Sequence, residues 1–313
     1  MPEQQAFGAR LAAAVEERGS QVVVGIDPDP ARLWPAATER AAEARALLEA
    51  PAEGPRLETA VAVLAHCLAL IEAAAPACVA AKPQLAFFEQ LGAPGWRALE
   101  HVCSHARAAG LLVLADGKRG DVPSTAAAYS RALTGPAPGL GADAITANPL
   151  MGRDALAPLI DGARAEGAGV FLLVRTSNPG AADVLDLELA DGRPLWERLA
   201  RMTAELGAAP HAGAAPGAAG SLADVGAVTG ATAPEHLARM RELMPSTPFL
   251  LPGIGAQGGD VAALAPAFAP GRAAGLVTAS RSIANAGEAT GEDPAQAART
   301  EAERLRETAW NLV

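Results

Sequence analysis

The chain has 313 residues, and 35 Asp+Glu against 25 Lys+Arg leave a formal charge of −10. Half of the residues are hydrophobic, which excludes chain-wide disorder, and only 4% are aromatic, so the core has to be aliphatic. An acidic chain is a poor partner for nucleic acid or an anionic membrane surface, so an anionic ligand must be met by a local positive site.

The N-terminal segment carries Glu3, Arg10 and Glu16 in an amphipathic pattern. That is not the basic-then-apolar layout of a signal peptide. No run of 18 apolar residues free of charge is present, so no membrane span is expected. Cys67, Cys78 and Cys103 form no C-x-x-C pair, and their odd number argues against a disulfide framework. A soluble protein of the reducing cytoplasm is expected.

In chain order, the first short apolar run is QVVVGID (21–27). An Ala/Glu/Arg helix (36–48), the break PAEGP (51–55) and a helix over 58–75 follow it. ACVAAKP (77–83) precedes a helix over 94–109, and LLVLADG (111–117) precedes one beginning near Pro123. DAITANP (143–149) leads to a helix over 154–166. GVFLLVRT (169–176) leads to one over 194–206 and to the Gly/Ala/Pro tract 207–220, which reads as a mobile loop. DVGAVTG (224–230), a helix over 234–243, PFLLPGIG (248–255), AGLVTAS (274–280) and a helix over 294–309 complete the series.

None of the runs alternates cleanly between polar and apolar, as expected of strands buried on both faces. Eight such strands alternating with helices predict parallel βα units. Their number favours closure as one (β/α)8 barrel domain, a TIM barrel, over an open doubly wound sheet. The first and fifth connections are too long for one helix, which places insertions at about 28–57 and 178–223. Neither reads as a separate folded domain.

The densest polar cluster is Asp116-Gly117-Lys118-Arg119-Gly120-Asp121, after the third strand. On a strand, residues 116 and 118 share a side, so Asp116 and Lys118 would face the barrel interior at its C-terminal end, where barrel active sites lie. A structural ion pair is the plain alternative. The added Asp121, the two glycines and the location favour chemistry. Asp27 and Lys82 close the first and second strands in the same way. Late in the chain, Pro252-Gly253-Ile254-Gly255-Ala256-Gln257-Gly258-Gly259 and Ser280-Arg281-Ser282-Ile283 follow strands seven and eight. Glycine-rich backbone and a fork-shaped cation there suit a phosphate. GIGAQG (253–258) is not followed by a dinucleotide-binding pattern. His101 and His105 are spaced for a metal but have no third ligand nearby, so they read as ordinary helix residues, as does His66. Ser124 and Thr125 could cap the helix near Pro123 or touch a ligand.

Asp116-x-Lys118-x-x-Asp121, followed by Val122-Pro123-x-Thr125, resembles the D-x-K-x-x-D signature of the orotidine 5′-phosphate decarboxylase family. Lys82-Pro83-Gln84 with Phe87-Phe88-Glu89, Arg175-Thr176-Ser177-Asn178-Pro179-Gly180, Gly230-Ala231-Thr232, PGIGAQGGD (252–260) and Arg281-Ser282-Ile283 resemble its longer bacterial subfamily, in the same order. The resemblance implies decarboxylation of orotidine 5′-monophosphate to UMP, with no metal and no organic cofactor. It also implies a homodimer whose active sites are shared between subunits. Carried over, Lys118 is the acid that protonates C6, Asp116 is set against the substrate carboxylate, and Asp121 is donated by the partner subunit with Thr125 beside it. Asp27 and Lys82 are ribose contacts and Ser177 touches the base. Gln257 bridges base and phosphate, and Arg281, with the Pro252 loop, holds the phosphate. Ser280 departs from the glycine often found before that arginine. Two other readings are a metal-dependent sugar-phosphate decarboxylase on the same barrel, acting on a substrate such as 3-keto-gulonate 6-phosphate, and a non-catalytic nucleotide-binding barrel. The first needs an acid where Lys82 stands; the second needs neither Lys118 nor Asp121.

Overall fold

The computed structural model describes residues 5–48, 54–209, 221–255 and 258–313. Among these, eight parallel strands close a barrel in sequence order: β1 (Val22–Ile26), β2 (Ala80–Pro83), β3 (Leu112–Arg119), β4 (Ala144–Ala147), β5 (Gly169–Arg175), β6 (Val225–Thr229), β7 (Phe249–Leu251) and β8 (Gly275–Ala279). Closure is made where β1 pairs with β8, Val22 opposite Val277 and Val24 opposite Ala279. Helices cover the outside. Every residue of β1, β6 and β8 is buried, which explains why the runs lack alternation.

Inside the barrel, Val23, Leu114, Phe171, Val228, Leu250 and Leu276 form one packed cluster with Phe7, Leu11 and Val15. Those last three belong to the helix Phe7–Arg18, which closes the N-terminal end of the barrel. The Phe7 ring meets Phe171 edge-on, centroids 5.9 Å apart. It fits because position 169 is glycine: a Cβ there would lie 2.3 Å from Phe7 Cδ1. An Arg10–Asp143 ion pair anchors the helix, and Asp143 Oδ2 accepts the Val113 N–H at 2.8 Å.

The helix Pro55–Ala74 is long and apolar enough to cross a membrane, but it is a core helix with Val63, Leu64, Cys67 and Ile71 fully buried. Cys67, Cys78 and Cys103 are free thiols and buried. The expected helix over 36–48 is two helices, Ala36–Glu39 and Ala41–Leu48. They break at Arg40, whose guanidinium pins the corner to Glu43 and Glu72. β7 is shorter than its apolar run because Pro252 has no N–H and Gly253 turns at φ 106°. Residues 207 and 208 end the helix Leu195–Ala208. Residues 210–220 of the tract expected to be a loop lie outside the described residues.

Candidate active site

The C-terminal ends of the strands surround a cleft of about 360 Å³. It is lined by seven expected residues, Asp27, Lys82, Asp116, Lys118, Ser177, Pro252 and Arg281. They come from β1, β2, β3, β5, β7 and β8 or the loops that follow, as expected if each strand end supplies one group.

Asp116 is the centre of the cleft. It is 5% exposed, and its carboxylate accepts from Lys82 Nζ at 2.7 Å on Oδ2 and from Lys118 Nζ at 2.6 Å on Oδ1. Gln84 Nε2 donates to Oδ2 at 3.3 Å and Thr146 Oγ1 to Oδ1 at 2.8 Å. Burial by itself raises this carboxyl, but the two ammonium groups and their hydrogen bonds outweigh it and hold Asp116 below the usual carboxylate range. Burial lowers Lys82, and the charges of Asp116 and Asp27 with the hydrogen bond to Asp116 overcome it, so Lys82 lies above its ordinary value. Both directions describe one ionised, mutually compensated chain of charges, which is what makes a buried carboxylate tolerable.

Lys118 reaches this chain by a different route from simple strand alternation. β3 runs through it to Arg119, but the register with β4 shifts between Ala115 and Arg119, and Lys118 has φ 47°. This bulge, not a two-residue repeat, aims the ammonium at Asp116, and it leaves the side chain 41% exposed to the cleft.

The loop after β5 is held from several sides. Arg175 makes a two-pronged pair with Asp186, at 2.9 Å to each carboxylate oxygen. Thr232 Oγ1 donates to the Ser177 carbonyl at 3.0 Å, and Gly230 leaves room for Ser177, since a Cβ would lie 2.7 Å from Ser177 Cα. The motif over 230–232 thus supports the loop that carries Ser177 rather than lining the cleft itself. At the other end, Arg281 begins the short helix Arg281–Ala284. Ser280 occupies the space above Gly25 on β1, where a Cβ would fall 1.8 Å from Ser280 Oγ. Ser280 is therefore matched by a glycine on the neighbouring strand. Asp27 Oδ1 and Thr278 Oγ1 are buried at the cleft without a protein partner.

Asp121 and Thr125 do not line the cleft of their own chain. Asp121 Oδ1 accepts its neighbour's Val122 N–H at 2.7 Å, and Asp121 lines a smaller cavity with Tyr129 and Met151. Ser124 and Thr125 do not cap the helix Pro123–Leu133, whose N-cap position is Val122 with no side-chain bond. Gln257 lies outside the described residues. His105 pairs with Glu72 at 3.2 Å on the outer surface. Sequence reasoning gave no role to Thr146, Gln84 or Thr278. The only available signal for Thr146 was a hydroxyl in an otherwise apolar strand, DAITANP, and that reads equally well as β-branched filling.

A chain of fixed charges at the C-terminal mouth of a closed parallel barrel places this protein among the (β/α)8-barrel enzymes. Within that class the match is specific. Residues 20–300 match the family model described as Orotidine 5'-phosphate decarboxylase / HUMPS family, and the chain belongs to this family. It is 46% identical over 219 residues to the orotidine 5′-phosphate decarboxylase of Deinococcus radiodurans, covering 70% of this chain and 75% of that one. It is 38% identical over 281 residues to the enzyme of that name from Rhodopirellula baltica, covering 88% and 87%. The solved structure of Leishmania donovani OMP decarboxylase superposes with a TM-score of 0.68 at 31% identity, covering 96% of this chain and 98% of that one.

Proposed function

We propose that Lys118 protonates C6 as carbon dioxide leaves in the reaction this enzyme carries out, the decarboxylation of orotidine 5′-monophosphate to UMP in pyrimidine biosynthesis. The C6–carboxylate bond breaks and its electron pair stays on C6. That carbon takes a proton from the Lys118 ammonium, and solvent reprotonates the amine, so each turnover consumes one proton. The ring cannot delocalise the pair easily. A cation fixed beside the carbon stabilises the charge as it develops, with no reorganisation at the moment of reaction. An enzymic acceleration of order ~10¹⁷ needs about 23 kcal/mol. One ammonium cannot supply that, so contacts to phosphate and ribose must contribute through binding energy.

The observation that carries this reading is the Lys82–Asp116–Lys118 chain, with bonds of 2.7 and 2.6 Å. It fixes Lys118 and keeps Asp116 ionised where the substrate carboxylate would sit. It also separates the activity from a metal-dependent sugar-phosphate decarboxylase, which needs a carboxylate where Lys82 donates to Asp116. Asp27 suits a ribose hydroxyl, because its buried Oδ1 has no donor of its own. Lys82, on the neighbouring strand, is the second ribose contact, Ser177 the base contact, and Arg281 with the loop at Pro252 the phosphate site. Gln257 is assigned to base and phosphate on the family resemblance alone. No metal or organic cofactor enters this scheme.

Asp121 and Thr125 complete the cleft of a second subunit in a homodimer. Support comes from the exposed apolar side chains beside them, Val122 at 48%, Leu150 at 63% and Met151 at 49%. The cytoplasm is the compartment this metabolic reading implies, and the three free thiols fit it.

Loss of the ultraviolet absorbance of orotidine 5′-monophosphate, followed in excess chelator, is the test. Turnover should persist in chelator and vanish in Lys118→Ala. A loss of about tenfold (~1.4 kcal/mol) that Mg²⁺ restores would instead support the sugar-phosphate relative.

A further inference from the structure

Thr146 stands on β4 and is 1% exposed. Its hydroxyl is held at two points. It accepts the backbone N–H of Lys118 at 2.9 Å and donates to Asp116 Oδ1 at 2.8 Å. Lys118 is the one non-glycine residue with positive φ among the described residues. A side chain at φ 47° is unfavourable unless its surroundings over-determine it. The register shift between β3 and β4 takes the Lys118 N–H out of the regular ladder, and Thr146 Oγ1 is the acceptor that receives it. One oxygen thereby sets both the backbone of Lys118 and the carboxylate facing its ammonium.

We propose that Thr146 is a positioning residue for proton transfer: its hydroxyl locks the Lys118 bulge and Asp116 into one geometry and takes no part in substrate binding. This rests on the reading of Lys118 as the proton donor. Valine keeps the shape of threonine but offers neither acceptor nor donor. In Thr146→Val the Lys118 N–H loses its partner and the bulge is free to relax toward ordinary strand geometry. The ammonium is then displaced from the reacting carbon. Serine keeps the hydroxyl and gives up only a methyl group.

The experiment compares Thr146→Val, Thr146→Ser and Lys118→Ala in steady-state turnover of orotidine 5′-monophosphate, with UMP affinity measured by titration. Thr146→Val should lower kcat by about 10- to 100-fold, the scale of a small misplacement of a reacting group, with KM and UMP affinity within about twofold. Thr146→Ser should keep kcat within about threefold, since the hydroxyl is retained. A rise in KM at unchanged kcat would overturn the proposal by making the hydroxyl a substrate contact. Equal losses in the serine and valine variants would overturn it by making the methyl group the cause. Wild-type turnover by Thr146→Val beside an inactive Lys118→Ala refutes the role of Thr146 alone, whereas an active Lys118→Ala refutes the proton-donor reading and this inference with it. Should Thr146→Val not fold, Thr146→Ala against Thr146→Ser makes the same comparison with the methyl group absent from both.

Discussion

Lys118 and Asp121 are three positions apart in sequence, yet within one chain they line different cavities. Lys118 donates to Asp116 in the mouth cleft, while Asp121 lies beside Tyr129 and Met151. A single subunit therefore does not bring the two acidic ends of the motif to its one ammonium. If Asp121 serves a neighbouring subunit, Lys118→Ala and Asp121→Asn should each be nearly inactive alone. Mixed, dissociated and reassembled, half of the dimers pair one chain of each kind. Each mixed dimer then has one site with both defects and one intact site. Activity per chain should recover to about a quarter of wild type if the sites act independently. Activity that stays at the level of the separate variants after verified subunit exchange would remove Asp121 from the shared site.

Arg281 lines the same cleft as Asp116 and begins the helix that follows β8. Arg281→Ala should lower kcat/KM by about 2–4 kcal/mol, the scale of removing one partner of a charge-assisted contact. The same change should matter much less for the nucleoside substrate, which has no phosphate to hold. Equal penalties on nucleotide and nucleoside would mean that Arg281 acts through folding.

Gly25 and Ser280 form a matched pair across β1 and β8. Gly25→Ala would drive a Cβ to 1.8 Å from Ser280 Oγ and 2.7 Å from its Cβ, and should cost about 1–3 kcal/mol through overpacking. Adding Ser280→Gly removes both clashes and leaves only a 3.2 Å approach to the backbone Cα. Thermal melting should show the double variant more stable than Gly25→Ala alone. A double variant no better than the single one would mean that the strain lies elsewhere in β1.

His66 is 4% exposed, accepts the Trp34 N–H on Nδ1 at 3.2 Å and meets the Trp34 ring edge-on. Burial lowers its pKa to about 4 from an ordinary 6.5. Between those values the unfolded chain binds the proton and the folded one does not, so stability rises with pH across the window and is lost on acidification. The depression amounts to about 3 kcal/mol between pH 6.5 and 4. His66→Gln keeps an acceptor for Trp34 and cannot titrate. Its melting temperature should change less over this range than that of wild type. An unchanged slope would assign the acid sensitivity to other groups.

The sequence carried the barrel plainly, because strands buried on both faces read as unbroken apolar runs and the parallel order needs helices between them. It carried the charged mouth as well, since Asp116, Lys118, Asp27 and Lys82 all fall at strand ends. What it hid depends on distances across strands. Thr146 and Lys118 meet only because β4 lies against a bulge in β3, and nothing in the local pattern marks that bulge. Gly25 and Ser280 are 255 positions apart and become neighbours only when the barrel closes. Arg40 gives no warning of the break it makes, as alanine-rich sequence continues on both sides. Trp34 reads as an isolated aromatic until its indole is found donating to the Ala284 carbonyl at 2.8 Å, tying the segment after β1 to the helix that follows β8.

The helix Phe7–Arg18 stoppers the barrel, and Phe7, Phe171, Leu114 and Leu250 fill the space above it. The enzyme is thus a cul-de-sac. If the nucleotide enters at the rim, carbon dioxide released beside Lys118 has the same mouth to leave by. On that reading, egress of carbon dioxide is tied to whatever freedom the nucleotide and the surrounding loops retain, and the order of departure becomes a property of the barrel's plumbing as much as of its chemistry.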